Sequence, residues 1–109
     1  MQVNFKTQKN ILIIAVNGSI DSNTAPEVQE KVLEASADSK NVILDLTEVD
    51  FVSSAGLRVI LMVYRQIKSK DGKVVLVGVS EEIKDVMTVT GFANFFEMVD
   101  VVENALKLY

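Results

Sequence analysis

Residues 42–46 and 73–77 read Val-Ile-Leu-Asp-Leu and Lys-Val-Val-Leu-Val, and no other feature narrows the fold of this chain as much. A strand with one solvated face alternates apolar and polar residues, whereas a run that is apolar at nearly every position is covered on both faces. Helices are the usual cover. The stretch between the two runs supplies one: over residues 55–67 apolar side chains fill most of a helical surface, leaving Arg58, Arg65, Gln66 and the following Lys68 as its polar positions. A helix of that kind is either sandwiched in a core or docks a partner.

The rest of the chain fits around these elements. Residues 2–8 and 11–16 are extended and rich in β-branched side chains, with Lys9-Asn10 as a hairpin turn between them, and Asn17-Gly18-Ser19 breaks the second strand. Ile20-Asp21-Ser22-Asn23 leads into a helix at Thr24. Thr24 and Glu27 form a capping box there, Pro26 sits in the first turn, and Val28, Val32, Leu33 and Ala35 repeat at helical spacing as far as Ala37. Asp71-Gly72 turns the chain into the second buried run. Ser80 then caps a third helix, with Glu81 and Glu82 in its first turn and Gly91 closing it. Residues 95–99 predict a short last strand, and Asp100 with Glu103 a second capping box for a helix ending at Leu106. The order predicts an α/β fold, one domain over residues 1–109, with a mixed sheet of about four to five strands and helices packed on it. At 109 residues, 49% of them hydrophobic, the chain can fill one core but not two.

Composition removes most chemistries. The chain has neither histidine nor cysteine, so it lacks the usual base of a serine triad, the commonest transition-metal ligand and any thiol nucleophile or disulfide. Neither G-x-x-x-x-G-K-[ST] nor G-x-G-x-x-G occurs. The expectation is a protein that is not an enzyme, with no catalytic residues, metal site or cofactor. A net charge of −4 and an aromatic content of 6% argue against nucleic acid or an anionic membrane as the main partner. No apolar run reaches the ~20 residues that span a bilayer, and the first residues do not read as a leader, which predicts a soluble cytoplasmic protein. Asp45 invites comparison with a phosphorylated receiver aspartate, but Lys73 begins its strand where a receiver lysine would end one. The better expectation is that Asp45 hydrogen-bonds the loop below Ser53.

Residues 50–57, Asp-Phe-Val-Ser-Ser-Ala-Gly-Leu, mark where a buried strand runs out and the apolar helix begins. Unpaired N–H groups and the helix dipole favour negative charge at such a position, and a phosphate on Ser53 or Ser54 would suit it. The plainer reading is an N-cap serine with Gly56 allowing close packing.

Several marks occur in a definite order along nearly the whole chain. They are Gly18-Ser19-Ile20-Asp21 before a helix containing Ala25-Pro26, then Ile43-Leu44-Asp45-Leu46, the stretch 49–57, Gly78 after the fourth strand, and Thr90-Gly91-Phe92 before a phenylalanine pair. In this the sequence resembles the STAS domains (sulfate transporter and anti-sigma factor antagonist), most of all the free-standing bacterial anti-sigma factor antagonists. The resemblance implies a partner serine kinase, itself the anti-sigma factor, which phosphorylates an Asp-Ser-Ser/Thr-Gly-Leu motif. The unphosphorylated form binds the kinase and frees the sigma factor, and a phosphatase resets the switch. Matching Gly56-Leu57 places the phosphorylated residue at Ser54, with Ser53 the second choice. Ser53 stands where the family often has aspartate, and Ala55 where it often has a second hydroxyl. The resemblance further implies that Asp21, Ser22, Asn23 and Thr24 lie beside the Ser54 loop and, with Ser53, Ala55, Gly56 and Arg58, form the partner-binding surface. The alternative it leaves open is a constitutive STAS scaffold subunit of a signalling or lipid-transport complex, in which Ser54 is never modified.

Overall fold

A computed structural model describes residues 1–109. The chain opens on an antiparallel hairpin of β1 (Gln2–Gln8) and β2 (Ile11–Asn17). Its turn residues Lys9 and Asn10 have φ of 54° and 64°, the paired left-handed conformation that a two-residue hairpin requires. There follow α1 (Ala25–Ser36), β3 (Asn41–Glu48), α2 (Ser54–Lys68), β4 (Lys73–Val77), α3 (Glu81–Thr90), a 3-10 turn (Phe92–Phe95), β5 (Glu97–Val99) and α4 (Val102–Leu106). The five strands lie in the order β1-β2-β3-β4-β5, antiparallel at β1–β2 and parallel elsewhere, so α1, α2 and α3 each form one crossover. This is the predicted α/β fold with a mixed sheet.

The two apolar runs are covered on both faces, as their composition requires. On one face Ile14, Val16, Val42, Leu44, Leu46, Val74 and Leu76 pack with Val28 and Val32 of α1 and Leu57, Ile60, Val63 and Ile67 of α2. Residues one step along each strand point the other way. Ile11, Ile13, Ile43, Val75 and Val77 make a second cluster beneath Ala105 of α4, with Val102, Leu106, Leu108 and Tyr109 against it. The Tyr109 hydroxyl donates to the carbonyl of Val42, and Lys73 Nζ donates to the carbonyl of Leu108 at 2.7 Å, which pins the chain after α4 across the sheet. Burial pushes the Tyr109 hydroxyl pKa well above its ordinary value. The apolar surface of α2 is therefore directed inward, with Arg58, Arg65 and Lys68 exposed. Gln66 joins α2 to α1 by donating to Leu33 O and Ser36 Oγ, both at 3.1 Å.

Helix α3 is bounded as predicted: Ser80 Oγ accepts from Ile83 N at 3.2 Å, and Gly91 closes the helix with φ of 83°. Three expectations are corrected. The last strand covers only Glu97–Val99, because the residues before it coil into the 3-10 turn and bring the Phe95 and Phe96 rings within 5.6 and 5.1 Å of the Tyr64 ring. Asp100 and Glu103 form no capping box: α4 starts from Val101, whose side chain cannot cap, and the buried Ala105 holds this short helix in place. Asp45 does not reach the loop below Ser53. It lies two residues after Ile43, on the α4 face of the sheet, and its Oδ1 accepts from Thr47 N at 3.0 Å and Thr47 Oγ1 at 2.6 Å. No helix is long and apolar enough to cross a membrane.

The C-terminal latch leads to a measurable expectation. Tyr109→Phe keeps the ring and deletes the donor to Val42, which should cost about 1 kcal/mol and lower the melting temperature by about 5 °C. An unchanged melt would show that the hydroxyl contributes nothing to holding α4 on the sheet.

Candidate functional site

The site is built where β2 and β3 end. Gly18, at φ of 113°, turns the chain out of β2 while its N–H bonds Glu48 O at 3.0 Å. Ile20 then makes an isolated parallel bridge with Val52. Ile20 N donates to Phe51 O at 2.8 Å, and Ser53 N donates to Ile20 O at 2.9 Å. Ser19 Oγ adds a bond to Asp50 Oδ1 at 2.8 Å. The loop before α1 and the loop before α2 are thereby joined side by side. Gly56 makes the approach possible, since a Cβ there would stand 2.5 Å from Ile20 O and 2.8 Å from Val52 Cγ1.

On the first loop the cap is Asp21, one turn earlier than predicted. Asp21 Oδ1 accepts from Thr24 N at 3.0 Å and Asn23 N at 2.9 Å, while Thr24 Oγ1 accepts from Asp21 N at 3.0 Å. This is a reciprocal box in which Thr24 takes the place of the usual Glu or Gln. The expected Thr24–Glu27 box is absent, because the Thr24 hydroxyl is already committed to Asp21 N and to Ser19 O, the latter at 2.7 Å. Glu27 pairs instead with Lys31 at 3.0 Å. The backbone N–H groups of Thr24 and Asn23 hold the Asp21 carboxyl below its ordinary range. Ser22 and Asn23 are exposed at the tip of this turn.

On the second loop the two serines have different surroundings. Ser53 is the N-cap of α2, extended at φ −82° and ψ 177°, and its Oγ accepts from Gly56 N at 3.2 Å. Ser54 is the first residue of the helix and is exposed, with its hydroxyl outside the cap. Ala55 is half-buried and packs against the main core, and Arg58 is exposed one turn into the helix.

The structure adds a groove that sequence reading missed. Ser54, Leu57, Arg58, Leu61 and Arg65 of α2 form one wall and Thr90 and Phe92 the other, around a volume of about 400 Å³. The stripe on α2 is legible as a spacing of four, three and four residues from Ser54 through Arg58 and Leu61 to Arg65. The opposite wall is not, since it depends on where the third crossover lays the end of α3. The groove lining carries two arginines and two hydroxyls and no carboxylate. The chemistry on offer is an exposed hydroxyl at a helix start beside a capped acidic loop.

A family model for the STAS domain matches residues 2–105, and the chain belongs to that family. Among its relatives, the anti-sigma-B factor antagonist of Listeria monocytogenes is 33% identical over 90 residues, covering 81% of this chain and 78% of that protein. The fold matches a solved anti-sigma factor antagonist from Mycobacterium paratuberculosis with a TM-score of 0.88 at 22% identity, over 98% of this chain and 92% of that one. It also matches the anti-sigma factor antagonist SpoIIAA in two forms. The unphosphorylated form gives a TM-score of 0.77 at 18% identity, covering 97% of this chain and 96% of that one. The phosphorylated form gives 0.75 at 15%, covering 99% and 100%.

Two predictions come from the caps and the close approach. Gly56→Ala should destabilise by ~1–3 kcal/mol through overpacking against Ile20, and Ser53→Ala by ~1 kcal/mol through loss of the cap, while Ser54→Ala stays within ~0.5 kcal/mol. Thermal melts of the three variants check this order, and equal losses at Ser53 and Ser54 would show that the two serines have been given the wrong roles. For Asp21, whose carboxyl is lowered from an ordinary value of 3.8, the stabilisation is fully present above that value and disappears as pH falls through the lower folded-state one. Acid titration of Asp21→Asn should therefore lack part of the stability loss that the parent shows below about pH 4.

Proposed function

We propose that this chain is an anti-sigma factor antagonist acting in the cytoplasm as a switched binding module. In its unmodified form it binds an anti-sigma factor that is also a serine kinase, and so releases the sigma factor. That kinase phosphorylates Ser54 and ends the binding, and a phosphatase restores it. The observation that carries this reading is the contrast between the serines: Ser53 is tied into the cap by Gly56 N, while Ser54 presents an exposed hydroxyl at the helix start. The names of the relatives supply the class of partner. The docking surface is Asp21, Ser22, Asn23 and Thr24 on one loop with Ser53, Ser54, Ala55 and Arg58 on the other, the loops being joined by the Ile20–Val52 bridge, while Gly56, buried against Ile20, supports the surface from beneath. The acidic balance of the chain, −4, favours encounter with a basic patch on the partner.

The physical basis of the switch is a difference in where charge is tolerated. A phosphate on Ser54 adds close to two negative charges at neutral pH, and in the free protein water and the helix dipole accommodate them, the dipole by ~0.3–1 kcal/mol. At a closed interface the same charges lose their water, and burying charge that the partner does not match costs several kcal/mol, where each ~1.4 kcal/mol is tenfold in affinity.

The test titrates the cognate kinase with unmodified protein, with phosphoprotein and with Asp21→Lys. Phosphorylation should lower affinity by at least ~100-fold with a melting shift under ~5 °C, and Asp21→Lys should weaken binding at low salt with the fold retained at a lower melting temperature, since it gives up the cap to Thr24 N and Asn23 N. Phosphopeptide mapping should find the phosphate on Ser54. Phosphate confined to Ser53 would move the modified position to that serine, and full affinity in the phosphoprotein would remove the switch and leave a constitutive scaffold as the function.

A further inference from the structure

Arg58 and Arg65 stand out because neither has a carboxylate partner, although the chain carries 15 acidic residues against 11 basic ones. All of the ion pairs in the molecule are made by lysines: Lys31 with Glu27, Lys73 with Glu97 and Lys84 with Glu81. Both arginines instead line the α2–α3 groove, on the same helical stripe as Ser54. Arg58 lies four residues beyond Ser54, a spacing that puts the two Cβ atoms about 5–6 Å apart on one face. Arg65 lies two turns further along the same wall. Nothing on the opposite wall competes for them, because Phe92 is apolar and the Thr90 hydroxyl is used internally, donating to Val86 O at 2.8 Å. The carboxylates of the two joined loops are engaged as well, Asp21 by the N–H groups of its own turn and Asp50 by Ser19.

We propose that a phosphate on Ser54 is received by the protein itself, with Arg58 forking onto it across the mouth of the α2–α3 groove and Arg65 adding charge behind. Any helix start offers N–H groups to an anion. What distinguishes this one is a pair of unpartnered guanidinium groups in the groove that already contains the hydroxyl. A phosphoserine brings three strong acceptor oxygens, and a guanidinium meets two of them at once, which a lysine cannot do. Phosphorylation then alters the surface twice, by adding negative charge and by withdrawing Arg58 from the partner. An aspartate at position 54 reproduces only part of this, since its shorter side chain carries one charge and two acceptor atoms.

The proposal rests on the reading of Ser54 as the modified residue, but its test does not need the kinase. Phosphoserine is installed at position 54 during translation, and the second ionisation of the phosphate is followed by phosphorus NMR in the parent, in R58Q, R58K and R65Q, with the arginine Nε–H signals recorded in parallel. The phosphate of the parent should titrate below the value near ~6 of free phosphoserine. In R58Q the midpoint should rise by about half a pH unit, a threefold change in the dissociation constant, with a smaller rise in R65Q and partial recovery in R58K. The Arg58 Nε–H signal should move and exchange more slowly in the phosphoprotein. Because Arg58 is exposed, the unmodified R58Q protein should melt like the parent, so a changed midpoint reports the phosphate contact and not misfolding. Equal midpoints in parent and R58Q, with an unmoved Arg58 signal, would overturn the clasp and leave the helix start as the sole stabiliser. If the clasp is found but no phosphate occurs on Ser54 in cells, the proposed switch fails while the clasp stands.

Discussion

Two backbone hydrogen bonds hold the candidate site of this molecule together, Ile20 N–H to Phe51 O at 2.8 Å and Ser53 N–H to Ile20 O at 2.9 Å. They extend the parallel pairing of β2 and β3 past a break in register, after the strands themselves have stopped. Everything at the site depends on them. They set Asp21 immediately after one bonded residue and Ser53 at the other, so that two loops about thirty residues apart in the sequence open onto one surface. They also fix why position 56 is glycine, since the α2 backbone approaches Ile20 O too closely for a Cβ. Ile20 and Val52 are both buried at this junction, which shields the two bonds from water and makes breaking them costly.

The fold was readable in the sequence where one local rule applied without competition. The doubly covered strands, the hairpin at Lys9-Asn10, the Ser80 cap and the Gly91 stop are of this kind. Reading failed where two local rules overlapped. Asp21-x-x-Thr24 and Thr24-x-x-Glu27 are both plausible boxes, and the choice fell to Asp21 because the Ile20 bridge starts the first helical turn there and the Thr24 hydroxyl serves only one box. Asp45 was hidden for a related reason. In a run apolar at nearly every position, the alternation that would show which face a residue takes is absent, so its position on the α4 side could not be told. At the end of the chain Val101, not Asp100, begins the helix, and burial of Ala105 decides the matter.

The site divided in the same way. That a serine caps α2 was legible, but which of Ser53 and Ser54 does so is settled by the extended backbone at Ser53 and its bond from Gly56 N. The groove joins residues of α2 to the end of α3, and no spacing rule relates Arg58 to Phe92 before the crossover is known. Membership of the STAS family fits this division of labour. The sheet and its two covered faces give a rigid support, and the exposed polar chemistry is carried by loop residues at the ends of β2 and β3.

If the surface is the switch and the fold only its support, modification of Ser54 must leave the joined loops intact. The direct measurement is amide hydrogen exchange at Ile20 and Ser53 in unmodified protein and in protein carrying phosphoserine at position 54, under conditions where local opening is resolved. The account predicts protection of both amides equal within about threefold in the two forms, with changes confined to the first turn of α2. Loss of protection at Ile20 and Ser53 by a hundredfold or more in the phosphoprotein, about the scale of the loss expected in partner affinity, would mean that the phosphate works by releasing the loops, and would contradict it.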